Sequence, residues 1–128
     1  MNHLSDDASH EQGNRLRVRL LQTAPVLGDV DGNLERLDTQ IADAHACDLV
    51  VAPELATHGY HLSDVPEAMP LQPDDPRLLG LGKHGPVSVV GFSEAFRHYS
   101  FNSAALMRDG EAQMIQRKLY LPTYRGWE

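Results

Sequence analysis

The chain has 128 residues, of which 41% are hydrophobic and 23% charged, and its formal net charge is −7. This length fits one small globular domain, and an acidic chain without a basic patch is not expected to bind nucleic acid or an anionic membrane surface. No membrane-spanning run or signal peptide is readable, and the single cysteine, Cys47, excludes an internal disulfide, so we expect a cytoplasmic location.

The chain begins with a polar segment that is followed by a strand pattern. Residues 1–14 are almost entirely polar, and we expect them to form a disordered tail before a folded domain over residues 15–128. Apolar and charged side chains alternate over Arg15–Gln22, which is typical of a strand with one apolar face. The glycines and aspartates of Gly28–Gly32 then predict a loop.

The next segment predicts a helix followed by a second strand. Asn33 is a candidate N-cap, and apolar residues recur with helical spacing from there as far as Ala44. Leu49–Ala52 is a short unbroken apolar run, as expected of a strand buried on both faces. Strand, helix and strand at this spacing predict a right-handed βαβ unit.

A long connection with four prolines follows, over Ala56–Pro76. A loop of this length in a compact domain usually borders a functional site. Its His58, His61 and Asp64 resemble a metal-binding cluster, but no later histidine completes the spacing of a metal motif. We therefore expect a polar loop at the mouth of a site, and no metal.

The last part of the chain predicts a short helix and three strands. The helix begins at Pro76, and Val87–Phe92 is a β-branched run. Phe101–Met107 and Ala112–Arg117 are predicted strands. They are joined by Asp109-Gly110, a dipeptide that adopts the positive φ angles of a tight hairpin turn.

Two charged residues follow predicted strands. Glu54 comes after the apolar strand, where a partly desolvated carboxylate has a raised pKa and can act as a base. Lys118 follows the last strand, where an ammonium group can stabilise an oxyanion and lower the pKa of a neighbouring thiol. Taken singly, Glu54 also fits a solvated or salt-bridged glutamate, and Lys118 an edge-strand lysine that discourages aggregation.

Taken together, these residues belong to motifs that follow one another in a defined order: Leu20-Leu21-Gln22 with Pro25, Gly28-Asp29 and Asn33; Leu49 to Leu55 with Gly59-Tyr60; Asn102-Ser103-Ala104; Gly110; and Arg117 to Tyr124. This order resembles the N-terminal half of the nitrilase superfamily of carbon-nitrogen hydrolases. The resemblance implies an α/β fold, the N-terminal part of a nitrilase-like αββα sandwich, beginning with a βαβ unit and ending in a β-hairpin.

The resemblance also implies a Glu-Lys-Cys thioester mechanism on a small amide or nitrile. In that mechanism Glu54 is the general base, and Lys118 stabilises the tetrahedral intermediate formed when a cysteine attacks the substrate carbon. Tyr60 and Glu128 are candidate substrate-positioning residues, and no metal or organic cofactor is needed. Glu54 and Lys118 are then expected to lie close together at one rim of the sheet.

The nucleophile is the member of this set that the chain does not match. The family cysteine follows the lysine motif, whereas Cys47 precedes the glutamate strand, so we expect Cys47 to be a buried structural residue and the chain alone to be inactive. Three interpretations stay open: the N-terminal part of an amidase or nitrilase, a non-catalytic binding or regulatory module, and one chain of a split enzyme. A complementing C-terminal half or a homo-oligomer is the expected partner, since half a sandwich exposes an apolar face.

Overall fold

The computed structural model describes residues 15–65 and 67–121, so the predicted tail over residues 1–14 and Glu128 lie outside the described residues. The regular elements of the described chain are two α-helices, a 3₁₀ turn and a five-stranded sheet. The elements are, in chain order, β1 (Val18–Leu20), α1 (Val30–Ala42), β2 (Leu49–Val51), a 3₁₀ turn (Leu62–Asp64), α2 (Pro76–Gly80), β3 (Val87–Phe96), β4 (Tyr99–Arg108) and β5 (Glu111–Arg117).

The strands lie side by side in the order in which they occur along the chain. β1 pairs with β2 and β2 with β3 in parallel, so the predicted βαβ unit at the start of the chain is confirmed. β4 and β5 form the predicted antiparallel hairpin, in which Asp109 and Gly110 have φ angles of 54° and 79°. The helix predicted from Pro76 is also present.

A second hairpin joins β3 to β4 and was not predicted. The two strands pair from Ser88 with Met107 to Phe96 with Tyr99, and Arg97 in the turn has a φ of 56°. Arginine is not among the residues that favour positive φ, so the turn carries no sequence pattern of the usual kind. β3, β4 and β5 therefore form three consecutive antiparallel strands.

The capping residue of α1 is Asp29, and the prediction that Asn33 caps this helix was wrong. The Asp29 carboxylate accepts a hydrogen bond from the Gly32 amide, which satisfies a free N–H of the first turn. Asn33 lies inside the helix and is buried. Its side chain binds both backbone groups of Val26 at 2.8 Å and donates to the carbonyl of Thr57 at 3.0 Å, so it ties α1 to the loop that follows β2.

Both helices pack against one face of the sheet, which we call the covered face. The apolar side of α1 and two leucines in and after α2 meet alternate residues of the three central strands there. These contacts bury aliphatic and aromatic side chains almost completely, which is the main favourable term in folding. The core consists chiefly of Leu34, Leu37, Ile41, Val50, Leu78, Leu81, Val90, Phe92, Ala105 and Met107.

The opposite side of the sheet is apolar but is not covered by the described helices, and we call it the open face. One row of partners crosses all five strands on this side: Leu20, Val51, Val89, Leu106 and Met114. Leu20 is 75% exposed and Met114 60%, while the three between them are half-buried. Leu49–Ala52 is patterned for burial on both faces, but both described helices lie on the same side of the sheet, so one face of this strand is left uncovered. The expectation that half a sandwich exposes an apolar face is therefore confirmed.

We expect the open face to drive self-association of the isolated chain. Contiguous apolar surface that is exposed to water favours any contact that removes it. The double substitution Leu20→Lys/Met114→Lys should therefore shift the chain from oligomer towards monomer in light scattering. The same charge added away from the open face, at the exposed positions of Thr39→Lys/Ala46→Lys in and just after α1, should leave the oligomer unchanged. A monodisperse wild-type monomer with one sharp thermal transition would contradict this expectation.

Candidate active site

Glu54 lies at the carboxyl end of β2, in a tight turn held against β3. The amide of Ala52 still donates to the Val89 carbonyl at 2.8 Å, after which the chain turns through Leu55, which has a φ of 50°. Gly91 of β3 permits this turn: a Cβ there would meet the Pro53 carbonyl oxygen at 2.5 Å and the Leu55 nitrogen at 2.6 Å. The position of Glu54 therefore depends on a strand residue that has no side chain.

Three side chains converge on the Glu54 carboxylate. Lys118 Nζ and Asn102 Nδ2 each donate to Oε1 at 2.6 Å, and the Tyr60 hydroxyl donates to Oε2 at 3.3 Å. The prediction that Glu54 and Lys118 lie close together at one rim of the sheet is thus confirmed, although 64 positions separate them in sequence. Tyr60, predicted as a substrate-positioning residue, lies beside them.

The pKa of Glu54 is lowered from its usual value, whereas a raised pKa was predicted. The hydrogen bond from Lys118 is the largest cause, and Asn102, the positive charge of Lys118 and Tyr60 act in the same direction. Burial opposes them, but the side chain is still 34% exposed. Desolvation is therefore outweighed by groups that bind the charged form, and Glu54 is ionised at neutral pH.

Lys118 is positioned by the pairing of β5 with β4. Its amide donates to the Asn102 carbonyl at 2.8 Å, which continues the ladder one residue beyond the end of β5. The same pairing therefore brings Asn102 and Lys118 together beside Glu54. An open cavity of about 360 Å³ lies here on the open face, lined by residues that include Pro53, Glu54, Gly91, Asn102, Gln116 and Lys118.

His58 lies in the loop after β2 and is fully buried, unlike His61 and Asp64 of the expected polar loop, which are exposed. The Ser93 amide donates to Nδ1 at 3.4 Å, and the Thr57 hydroxyl lies 2.6 Å from the same atom. Nδ1 is therefore the acceptor, and Nε2 carries the hydrogen that reaches the Met69 carbonyl at 3.2 Å. His58 thus connects the loop to β3, and its imidazole is neutral in this arrangement.

Burial lowers the pKa of His58, and the charge of Arg77 adds to this effect. The unfolded chain therefore takes up a proton on His58 at higher pH than the folded chain does. We expect the free energy of unfolding to fall as pH drops below about 6.5, and to level off for this group below its folded pKa. Chemical denaturation between about pH 7.5 and about pH 5.5 measures the slope.

Two variants test whether His58 causes this slope. His58→Gln should flatten it, even though the variant is less stable overall, because the titrating group is gone. His45→Gln removes an exposed histidine and should leave the slope unchanged. An equal slope in wild type and His58→Gln would contradict the assignment.

The remaining residues singled out from the sequence are Cys47, Glu128 and the candidate metal ligands. Cys47 is half-buried at the start of β2, packs against the core and lies at the far end of that strand from Glu54. Glu128 lies outside the described residues. Within residues 15–65 and 67–121, no three potential metal ligands cluster, His58, His61 and Asp64 included, and no helix is long and apolar enough to cross a membrane.

Two residues of the site were not singled out from the sequence. Asn102 was part of a motif, but its contact with Glu54 depends on the pairing of β3, β4 and β5. Gly91 sits within a β-branched run, where an isolated glycine indicates close approach of another backbone. That pattern could have identified Gly91, whereas no local pattern identifies Asn102.

The sequence of the chain matches those of carbon-nitrogen hydrolases and of longer enzymes. The carbon-nitrogen hydrolase family model matches residues 17–127. Glutamine-dependent NAD(+) synthetases from Thermotoga maritima and Xylella fastidiosa are 33% identical to the chain over 117 and 119 residues. The matches cover 86% and 85% of this chain but 20% and 21% of those proteins. The chain thus spans about a fifth of the length of the curated relatives it matches.

Solved structures agree with the fold. A glutamine-dependent NAD+ synthetase from Acinetobacter baumannii in complex with ADP superposes with a TM-score of 0.70 at 28% identity, covering 88% of this chain and 22% of that one. An amidase of the nitrilase superfamily from Nesterenkonia AN1 gives 0.71 at 22% identity, covering 90% and 47%. The second likeness is one of fold alone.

Proposed function

The chain belongs to the carbon-nitrogen hydrolase family, and from this premise we propose that it contributes the glutamate and lysine of an amide-hydrolysing site. The cysteine nucleophile of that site would come from polypeptide outside these 128 residues. The observation that supports this proposal most directly is the contact of Lys118 Nζ with Glu54 Oε1 at 2.6 Å, in an open cavity at the carboxyl end of β2. We call the chain together with the polypeptide that carries the cysteine the active assembly.

Glu54 would act as the general base. Its lowered pKa keeps the carboxylate ionised at neutral pH, so it can accept the thiol proton as the sulfur bonds to the amide carbon. Covering the open face would remove water from the cavity and raise the pKa of Glu54, which would make its carboxylate a stronger base. The same carboxylic acid could then return its proton to the leaving nitrogen when the C–N bond breaks.

Lys118 would stabilise the negative charge that develops on the carbonyl oxygen. An ammonium group held in place before reaction stabilises such an oxyanion at little cost in reorganisation. Its contact with Glu54 also fixes the geometry of the two charges, and Asn102 and Tyr60 hold the carboxylate from other directions. Water would then hydrolyse the thioester, with Glu54 again accepting a proton.

The substrate class that we propose is a primary amide, with the side-chain amide of glutamine as the leading candidate. The curated relatives named above are glutamine-dependent enzymes by name. The cavity supports a small polar group, since Asn102, Gln116 and Lys118 line it together with Glu54. Ammonia would be the first product, and a carboxylic acid the second.

The test is release of ammonia from glutamine, other amides and nitriles by the purified chain. We expect no turnover by the chain alone, because Glu54 and Lys118 cannot form a thioester, and turnover once the cysteine-bearing polypeptide is added. Turnover by the chain alone that survives Cys47→Ala would contradict the mechanism. Turnover that Cys47→Ala abolishes would show instead that Cys47 is the nucleophile. An assembly that binds amides but never hydrolyses them would favour a non-catalytic binding module.

A further inference from the structure

Two pairs of consecutive residues connect the two faces of the sheet at the site. They are Asn102-Ser103 in β4 and Arg117-Lys118 at the end of β5, and Ser103 is the register partner of Arg117. Neighbouring residues of a strand point to opposite faces. Accordingly, Asn102 and Lys118 bind the Glu54 carboxylate at the open face, and Ser103 and Arg117 point to the covered face.

A second carboxylate, Glu94 of β3, receives Ser103 and Arg117. The Ser103 hydroxyl donates to Oε2 at 2.6 Å, and Arg117 donates through Nε to Oε2 at 2.9 Å and through Nη2 to Oε1 at 2.7 Å. Only 1% of the Glu94 side chain is exposed. Because two nitrogens of Arg117 bind the two oxygens of Glu94, the contact is bidentate, and this geometry fixes the orientation of the guanidinium group.

The Arg117 guanidinium also contacts two aromatic rings. Its central carbon lies 4.3 Å from the ring centroids of Phe96 and of Phe101. Phe96 ends β3 and Phe101 belongs to β4, so one side chain of the edge strand β5 contacts both β4 beside it and β3 beyond. The end of β5 is thus fixed by Arg117, at the point where a strand terminus would otherwise fray.

We infer that Glu94 is a positioning residue: by holding Ser103 and Arg117 on the covered face, it sets the places of Asn102 and Lys118, which bind Glu54 on the open face. The contacts of Glu94 are observed in the structure, and only their effect on catalysis rests on the proposed function. A buried ion pair often adds little net stability compared with apolar packing, whereas it does define one arrangement of its surroundings. The Lys118 side chain is long and flexible, so a backbone that is already fixed lowers the entropy cost of holding Nζ against Glu54.

The test reads the Glu54 carboxylate itself, by NMR titration of the chain labelled with ¹³C at the glutamate carboxyl carbons. The Glu54 signal is assigned by its loss in Glu54→Gln. In Glu94→Gln, we expect the pKa of Glu54 to rise, because Lys118 and Asn102 are held less firmly against its charged form. Electrostatics alone predicts the opposite sign, since removing a negative charge nearby lowers the pKa of a carboxyl group. A Glu54 pKa that is unchanged or lowered would overturn the inference.

Two further variants keep the test decisive. Ser88→Ala removes another buried hydrogen bond of β3, from Ser88 to the Leu81 carbonyl at 3.1 Å, and should leave the Glu54 pKa unchanged even if stability falls. If Glu94→Gln fails to fold, Arg117→Lys keeps the charge but loses the bidentate contact, and the Glu54 pKa should again rise. A rise in Ser88→Ala of equal size would overturn the inference.

The same titration separates this inference from the proposed function, because it requires no turnover. It is made on the chain or, if only the active assembly is monodisperse, on the labelled chain within it. If Glu54→Gln retained full amide hydrolysis in the active assembly, the proposed function would fail while the positioning role of Glu94 could still hold. If Glu94→Gln left the Glu54 pKa in place, the positioning role would fail whatever the activity.

Discussion

Glu54→Gln is expected to lower kcat/KM for amide hydrolysis by about 10²- to 10⁴-fold in the active assembly, the range usual for loss of a general base. Lys118→Met is expected to lower it by about 10²- to 10³-fold, as for loss of one oxyanion-stabilising group. The structural reason is that both side chains meet at one carboxylate oxygen beside the cavity. Steady-state kinetics with glutamine and with a simple primary amide measure both effects.

Two variants distant from the cavity serve as matched controls for these substitutions. Glu111→Gln and Lys83→Met make the same chemical changes at exposed positions and should leave kcat/KM within about twofold of wild type. The losses should also be non-additive, because the two residues contact each other and, in the proposed mechanism, act on one transition state. A double variant whose loss equals the product of the single losses would show that the two residues act independently.

Gly91→Ala is expected to be the most damaging single-methyl change in the site. The added Cβ would lie 2.5 to 2.7 Å from backbone atoms of Pro53, Glu54 and Leu55, and backbone cannot move aside as a flexible side chain can. We expect the free energy of unfolding to fall by about 1–3 kcal/mol, the usual cost of overpacking. Because the turn carrying Glu54 must shift, amide hydrolysis by the active assembly should fall as well.

Gly80→Ala is the matched control for this substitution. Gly80 ends α2, and a Cβ there meets nothing within 4 Å, so the same added methyl group should be neutral or slightly stabilising. Chemical denaturation of both variants gives the comparison. Equal stability of Gly91→Ala and wild type would show that the turn at Glu54 adapts without strain.

Local patterns in the sequence were sufficient to predict the order of elements and the ends of two strands. Alternation, helical spacing and the Asp109-Gly110 turn act over a few residues, and they correctly indicated the βαβ unit and the final hairpin. They also placed Glu54 and Lys118 directly after strands, at the rim where strand ends meet. The family followed from the order of short motifs, which is itself a property of the sequence.

The tertiary structure decided what surrounds each of these residues. Asn33 has the side chain of a cap, but its partners Val26 and Thr57 are brought to it by folding. The pKa of Glu54 was predicted to rise because burial was considered without Lys118, Asn102 and Tyr60, which lower it. Hydrogen bonds and charges from residues distant in sequence set a pKa, and no local pattern contains them.

The two faces of the sheet show the same division. Alternation in β1 predicted that its apolar side chains share a face, and the register agrees, since Val18 and Leu20 pair with Leu49 and Val51. Which face the helices cover depends on where α1 and α2 pack, and this leaves Leu20 and Val51 on the open side. The sequence by itself therefore determined the elements and the candidate pair Glu54 and Lys118. Only the long-range pairing of strands, which brings distant residues into contact, decided the charge state of Glu54 and the buried contacts of Glu94.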